Sequence, residues 1–208
     1  MNVNSKTRVS RLSDSRNDAT RMADWQPHAL IAIVTSMILL LLSILAAQSG
    51  STYRWSFAFL IPLLWAVYML RNKLALLPWH YCVFAGAVVF HNLGVFGWYE
   101  AVFWNLRFDT YVHFAFGFAA GLIVSRALAV NWNLPGHTLW WVVPLFVLGM
   151  GAVHELIECF TTLLMGPERG MLKLRPDQPF DTQKDLLNNL LGAIAALIVG
   201  VVHRSEQR

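Results

Sequence analysis

Charge is what this chain has least of. Asp, Glu, Lys and Arg make up only 13% of its 208 residues, about half the share of an ordinary soluble domain. Hydrophobic residues make up 56%, and the mean hydropathy is +0.48. That balance excludes a soluble globular class and points to a multi-pass membrane protein. Cysteine is nearly as scarce. Cys82 and Cys159 fall in apolar runs at different depths, which argues against a disulfide and leaves two buried apolar thiols. The net charge of +4 comes with no basic nucleic-acid motif, so it speaks to topology and to anionic lipid headgroups. There is no internal repeat, no low-complexity segment, no H-E-x-x-H and no Cys-based zinc motif.

What is present is a series of apolar runs bounded by aromatic residues. Many of the nine Trp, among them Trp25, Trp55, Trp79, Trp98, Trp104, Trp140 and Trp141, sit near the ends of these runs, as interfacial belts require. Residues 1–24 set five basic side chains against Asp14, Asp18 and Asp24 amid Ser, Asn and Thr, the composition of a disordered cytoplasmic tail. The first apolar run, Ala29 to Ala47, has 19 uncharged residues, longer than a signal-peptide core, and is expected to be a retained anchor. Further spans are expected over Trp55–Leu70, kinked at Pro62, then Pro78–Gly97, Asp109–Leu128, Leu139–Leu164 and Asp185–Val202. The aromatic and polar linker Trp98–Phe108 is expected at the interface. The fold expected is all-α: a polytopic membrane helix bundle of about six transmembrane helices, one domain over residues 25–203, with a short cytoplasmic tail at 204–208. With both termini cytoplasmic, 10 of the 16 Lys and Arg residues lie inside, in keeping with the positive-inside rule. The basic loop between the last two spans is the discordant feature.

Against this apolar background the polar residues stand out. Phe180 to Ala193 runs a string of carboxylates and amides directly into an apolar helix. At about 100° per residue, Asp181, Asp185, Asn188 and Gly192 share a narrow arc, with Asn189 on its shoulder. Ionisable groups at membrane depth cost roughly 2.5 to 3.5 kcal/mol each on insertion scales, so such a face is by default a functional-site hypothesis. On the expected topology, His91 lies near the outer end of the third span. Asp109 and His113 open the fourth, His154, Glu155 and Glu158 sit in the outer half of the fifth, and Asp181, Asp185 and Asn189 start the sixth. All converge on one leaflet. Asp109 with His113, and His154 with Glu158, are i, i+4 pairs, and Glu155 with Glu158 an i, i+3 pair, each sharing a helical face.

Simpler readings exist for several of these groups. Asp109 and Asp181 suit helix N-caps, and His113 alone suits a hydrogen-bonded core histidine. Gly117 and Gly121 form a G-x-x-x-G motif of close helix packing. Glu155 and Glu158 resist a bland reading, because two carboxylates one turn apart in an apolar helix repel unless protonated, paired or metal-bound.

Three strings, F-D-T-Y-V-H-F-A-F-G at 108–117, H-E-L-I-E at 154–158 and F-D-T-Q-K-D-L-L-N-N-L-L-G-A at 180–193, resemble the YjdF family of bacterial inner-membrane proteins. D-T-Q-x-D is the most specific element, and the likeness covers residues 78–202. It implies a small multi-pass protein of the bacterial inner (cytoplasmic) membrane. The family usually places an aromatic residue before the first Glu, where this chain has His154. A fainter pattern, D-x-x-x-H at 109–113, Glu158 and D-x-x-x-N-x-x-G at 185–192, is similar to VanZ-like proteins, which are linked to glycopeptide-antibiotic tolerance.

The function expected is a membrane-embedded enzyme acting on a lipid or lipid-linked substrate at the outer leaflet, with membrane lipids as partners and no nucleic acid. Asp109, His113, Glu155, Glu158, Asp181 and Asp185 are its acid/base groups or ligands. The first four of these and Asp185 are candidate ligands for a divalent metal ion. His91, His154, Asn188 and Asn189 are supporting polar residues. The alternatives are a proton-coupled transporter or relay, and a non-catalytic lipid- or antibiotic-binding protein.

Overall fold

A computed structural model of the chain describes residues 27–51, 55–166 and 180–205, with side chains up to residue 200. Helix α1 (Pro27–Gln48) is followed by α2 (Phe57–Leu70) and α3 (Pro78–Asn92). Two 3-10 turns (Leu93–Phe96, Trp98–Glu100) and a hairpin of β1 (Val102–Phe103) and β2 (Leu106–Arg107) lead to α4 (Phe108–Asn131), α5 (Gly136–Met165) and α6 (Asp181–Ser205). The expected spans lie within a few residues of these helices. The expected tail at 1–24 and the loop Glu168–Pro179 fall outside the described residues.

Local chemistry sets the boundaries. Pro78 opens α3 behind an extended Leu77, where its missing N–H loses nothing. Pro135 is the extended N-cap of α5, and Gly166, at φ 83°, closes it. Four helices, Pro27–Gln48, Pro78–Phe96, Phe108–Asn131 and Gly136–Met165, are long and apolar enough to cross a membrane. The other two are not counted among these: α2 has only 14 residues, and α6 opens with Asp181, Lys184, Asp185, Asn188 and Asn189 and runs on, through its apolar half, past the residues whose side chains are described.

The connections sort into two ends. At one, the turn after α2 meets the start of α1 and the end of α4: His28 Nε2 lies 3.2 Å from the Leu76 carbonyl, and Arg126 Nε donates to the Ala75 carbonyl at 3.1 Å. At the other, the Ser51 hydroxyl donates to the Val95 carbonyl at 2.6 Å, and Ser56 donates to the Asn92 side chain. Neighbouring helices therefore run antiparallel. α5 sits at the perimeter, with Leu145, Val153, Phe160 and Leu164 well exposed, an outward apolar face suited to lipid.

The closest crossing is between α4 and α6. A Cβ on Gly117 would collide with the Asn189 backbone, and one on Gly192 would collide with the backbone of Phe114 to Phe118. One on Gly121 would lie 2.8 Å from the Ala196 Cβ. Small residues on both helices let the two backbones meet, which is the packing expected of the G-x-x-x-G motif; in lipid, where apolar burial gives little drive, such contact and interhelical hydrogen bonds hold helices together.

The hairpin is the departure from a purely helical chain. Trp104 and Asn105 at its tip have φ of 48° and 62°, the left-handed pair a two-residue type I′ turn needs. Trp rarely adopts that conformation, so the turn is held from outside it. The Tyr111 hydroxyl donates to the Phe103 carbonyl at 2.7 Å, and the Phe108 N–H to Ala101 at 2.9 Å. Phe108, fully buried, packs tilted against Phe90 and edge-on against Trp98, at 4.7 and 5.5 Å between centroids.

Candidate metal centre

Locking Phe108 in this aromatic nest fixes the first turn of α4, and with it Asp109. Arg107, in extended backbone, is the N-cap of α4, and it makes no side-chain cap hydrogen bond. Asp109 therefore does not cap its helix; it reaches along it to His113. His113 Nε2 lies 3.6 Å from Asp109 Oδ1 and 3.7 Å from Asp185 Oδ1, so one ring nitrogen faces two carboxylates from two helices. One ligand atom from each of Asp109, His113 and Asp185 falls within 4.8 Å of the other two. His113 and Asp185 are buried, at 6% exposure each. Across the ring, the Asn189 side-chain amide approaches His113 Nδ1 at 3.4 Å. With the amide nitrogen on that side, Nδ1 accepts and Nε2 carries the proton of a neutral ring; a cation on Nε2 would require the ring proton to sit on Nδ1 and the Asn189 amide to turn its oxygen toward it.

A second polar group flanks the triad on α5. His154 Nε2 lies 3.2 Å from Glu158 Oε1, and the His154 and His113 rings are 5.9 Å apart. Glu155 turns toward α6, where the Thr182 hydroxyl donates to its Oε2 at 2.9 Å. Its other oxygen is buried without a hydrogen-bond partner among the described residues, on a residue only 7% exposed. A buried carboxylate oxygen left in that state calls for a cation or a proton.

The ten residues singled out from the sequence are thus divided. Asp109, His113 and Asp185 form one ligand set. Glu155, Glu158 and His154 stand beside it rather than in it, because α5 approaches from the flank. Asp181 lines a cleft together with Asp109 and Asp185. His91 stands at the edge of the group, within electrostatic reach of His113, His154 and Glu158, its ring hydrogen-bonded to the Tyr99 hydroxyl and edge-on to Phe116 at 5.6 Å. Asn188 does not reach the site: its amide donates to the Lys184 carbonyl of its own helix at 2.8 Å. The inward arc of α6 instead runs through Asp185, Asn189, Gly192, Ala193 and Ala196, all buried. It is turned from the arc expected by roughly a fifth of a helical turn, because the small residues of the next turns seek the α4 glycines.

Two features escaped the sequence reading. Gly151 lets Asn189 lie flat against α5, since a Cβ there would be 2.7 Å from the Asn189 Nδ2. The signal was weak, a single glycine one turn before Glu155. The other is the hairpin, whose two-residue strands are too short to show a period.

Comparison with known proteins agrees with this architecture. No curated protein and no solved structure matches the chain. A family model described as "Predicted membrane protein (DUF2238)", the family that includes YjdF, matches residues 28–206. With nearly the whole described helical region under that match, and four helices apolar enough to cross a bilayer, the chain belongs to this family of membrane proteins.

Proposed function

We propose that the chain is a metal-dependent enzyme of the bacterial inner membrane, acting on a lipid or lipid-linked substrate from a pocket at the outer face. Both termini are then cytoplasmic, and α2 and α6 complete six spans by packing among the longer helices. The observation that carries this reading is the convergence of Asp109, His113 and Asp185, one ligand atom from each within 4.8 Å of the others. Two carboxylate oxygens and an imidazole nitrogen suit manganese, iron or zinc, and with water to complete the shell also magnesium. An ion held by Asp109, His113 and Asp185 would lower the pKa of bound water or polarise a substrate oxygen. The His154 and Glu158 pair, 3.2 Å apart and next to His113, is placed to take up and return a proton.

A proton relay has less support. At the opposite end, His28 and Arg126 are engaged with backbone carbonyls, and no carboxylate stands among the described residues there to continue a path.

Elemental analysis of the full chain purified in maltoside detergent tests the proposal. About one equivalent of a divalent metal is expected in the wild type and none in the Asp109→Asn, Asp185→Asn double variant. Equal and negligible metal in both, after incubation with manganese, zinc and magnesium in turn, would remove the metal reading. Proton flux in liposomes that disappears in Asp185→Asn would put the relay in its place.

A further inference from the structure

Between the hairpin and the start of α6 lies a cleft of about 290 Å³, lined by Arg107, Asp109, Thr110, Asp181, Lys184 and Asp185 among others. Two members of the triad, Asp109 and Asp185, line it, and the other lining residues stand outside the triad. Lys184 is exposed and has no ion-pair partner among the described residues. Arg107 stands opposite, 3.6 Å from Glu100. The first turn of α4 contributes Asp109 and Thr110 to the same lining, and the helix dipole there favours negative charge. Three carboxylates on the same walls would repel an anion unless a cation sat among them.

The two halves make sense together if a cation neutralises the carboxylates and an anion bridges that cation to the basic rim. Magnesium and manganese are commonly held by one or two carboxylates plus a substrate phosphate, and Lys and Arg are the side chains that complete such sites. The wall that closes the cleft ends in Val102, Phe103 and Trp104, all exposed, with Trp104 at 90%. Such a tip belongs at the headgroup level of a bilayer, where phosphate is abundant.

We propose that this cleft binds a phosphate group, carried by a membrane lipid or free, with its oxygens on the ion held by Asp109, His113 and Asp185 and on the Lys184 ammonium. The proposal rests on the metal reading above and adds the substrate class.

Manganese-loaded full chain in maltoside micelles, which contain no phosphorus, separates the possibilities. Manganese occupancy is followed by electron paramagnetic resonance, and the ³¹P linewidth of inorganic phosphate and of dihexanoyl phosphatidic acid is followed as each is added. Broadening well beyond that given by the metal-depleted Asp109→Asn, Asp185→Asn protein is expected. The Lys184→Gln variant, with manganese still bound, is expected to need about tenfold more ligand for the same broadening. Phosphatidic acid acting at much lower concentration than inorganic phosphate identifies a lipid phosphate, and equal action identifies phosphate alone as the recognised group. Bound manganese without ³¹P broadening, or no weakening in Lys184→Gln, overturns the phosphate site and leaves the metal reading standing. Absence of bound manganese overturns both.

Discussion

His113 is held by three residues, and each contact has a separate consequence. Its Nε2 faces Asp109 and Asp185 at 3.6 and 3.7 Å, the position a cation would take; a cation there would displace the proton that the two carboxylates share with the ring, while the ring's own proton moves to Nδ1. Metal binding is therefore expected to release about one proton per ion, and affinity is expected to rise with pH across the range in which that proton is held. Manganese titrations in two buffers of different ionisation enthalpy measure the count. On the other side of the ring, Asn189 orients Nδ1 from 3.4 Å. Partners of this kind are worth about 10- to 100-fold in metal affinity, and that loss is expected for Asn189→Ala. A variant that binds manganese as tightly as the wild type would show that the amide only fills space. The polar residues were legible one by one, since carboxylates and imidazoles in apolar helices stand out whatever the fold. Which amide faces the site was not, because Asn188 and Asn189 are neighbours and their roles depend on the rotation of α6.

That rotation is decided by glycine. α4 and α6 approach until Gly117 and Gly192 meet the opposite backbone, and no side chain can be added there without parting the helices. Gly192→Leu is expected to lower stability by about 1 to 3 kcal/mol or more, as overpacking does. It should also abolish metal binding, because Asp185 and Asn189 lie on the same face. Gly149, on α5, has open space around its missing Cβ, so Gly149→Ala is expected to leave binding intact and to raise stability by up to about 1 kcal/mol from helix propensity alone. Thermal unfolding in detergent with the metal content read in parallel checks both. The helices themselves were legible from hydropathy and boundary residues, to within a few positions. The motif at Gly117 and Gly121 announced a tight crossing but not its partner, since sequence spacing names one half of a contact only.

Across the whole molecule, every residue of the triad and its flanking pair lies at one end of the bundle. The Arg71–Leu77 turn lies at the other, with His28, Arg126 and Asn131 bonded to it. In a background lacking Cys82 and Cys159, Trp104→Cys is expected to react with a membrane-impermeant thiol reagent from outside the cell, and Asn72→Cys only after permeabilisation. The reverse pattern would turn the site toward the cytoplasm. The order of synthesis adds a constraint of its own. His113 and Asn189 are 76 residues apart, so at about 5 to 20 residues per second roughly 4 to 15 s separate their appearance at the ribosome. An α4 that inserts as it emerges would carry Asp109 and His113 into the bilayer during that interval without Asp185, its glycine trough with no helix to fill it. The nascent chain must pass through a stage in which costly polar groups wait for the last helix, and a quality-control system that removes incompletely inserted proteins would find its clearest mark on the open face of α4.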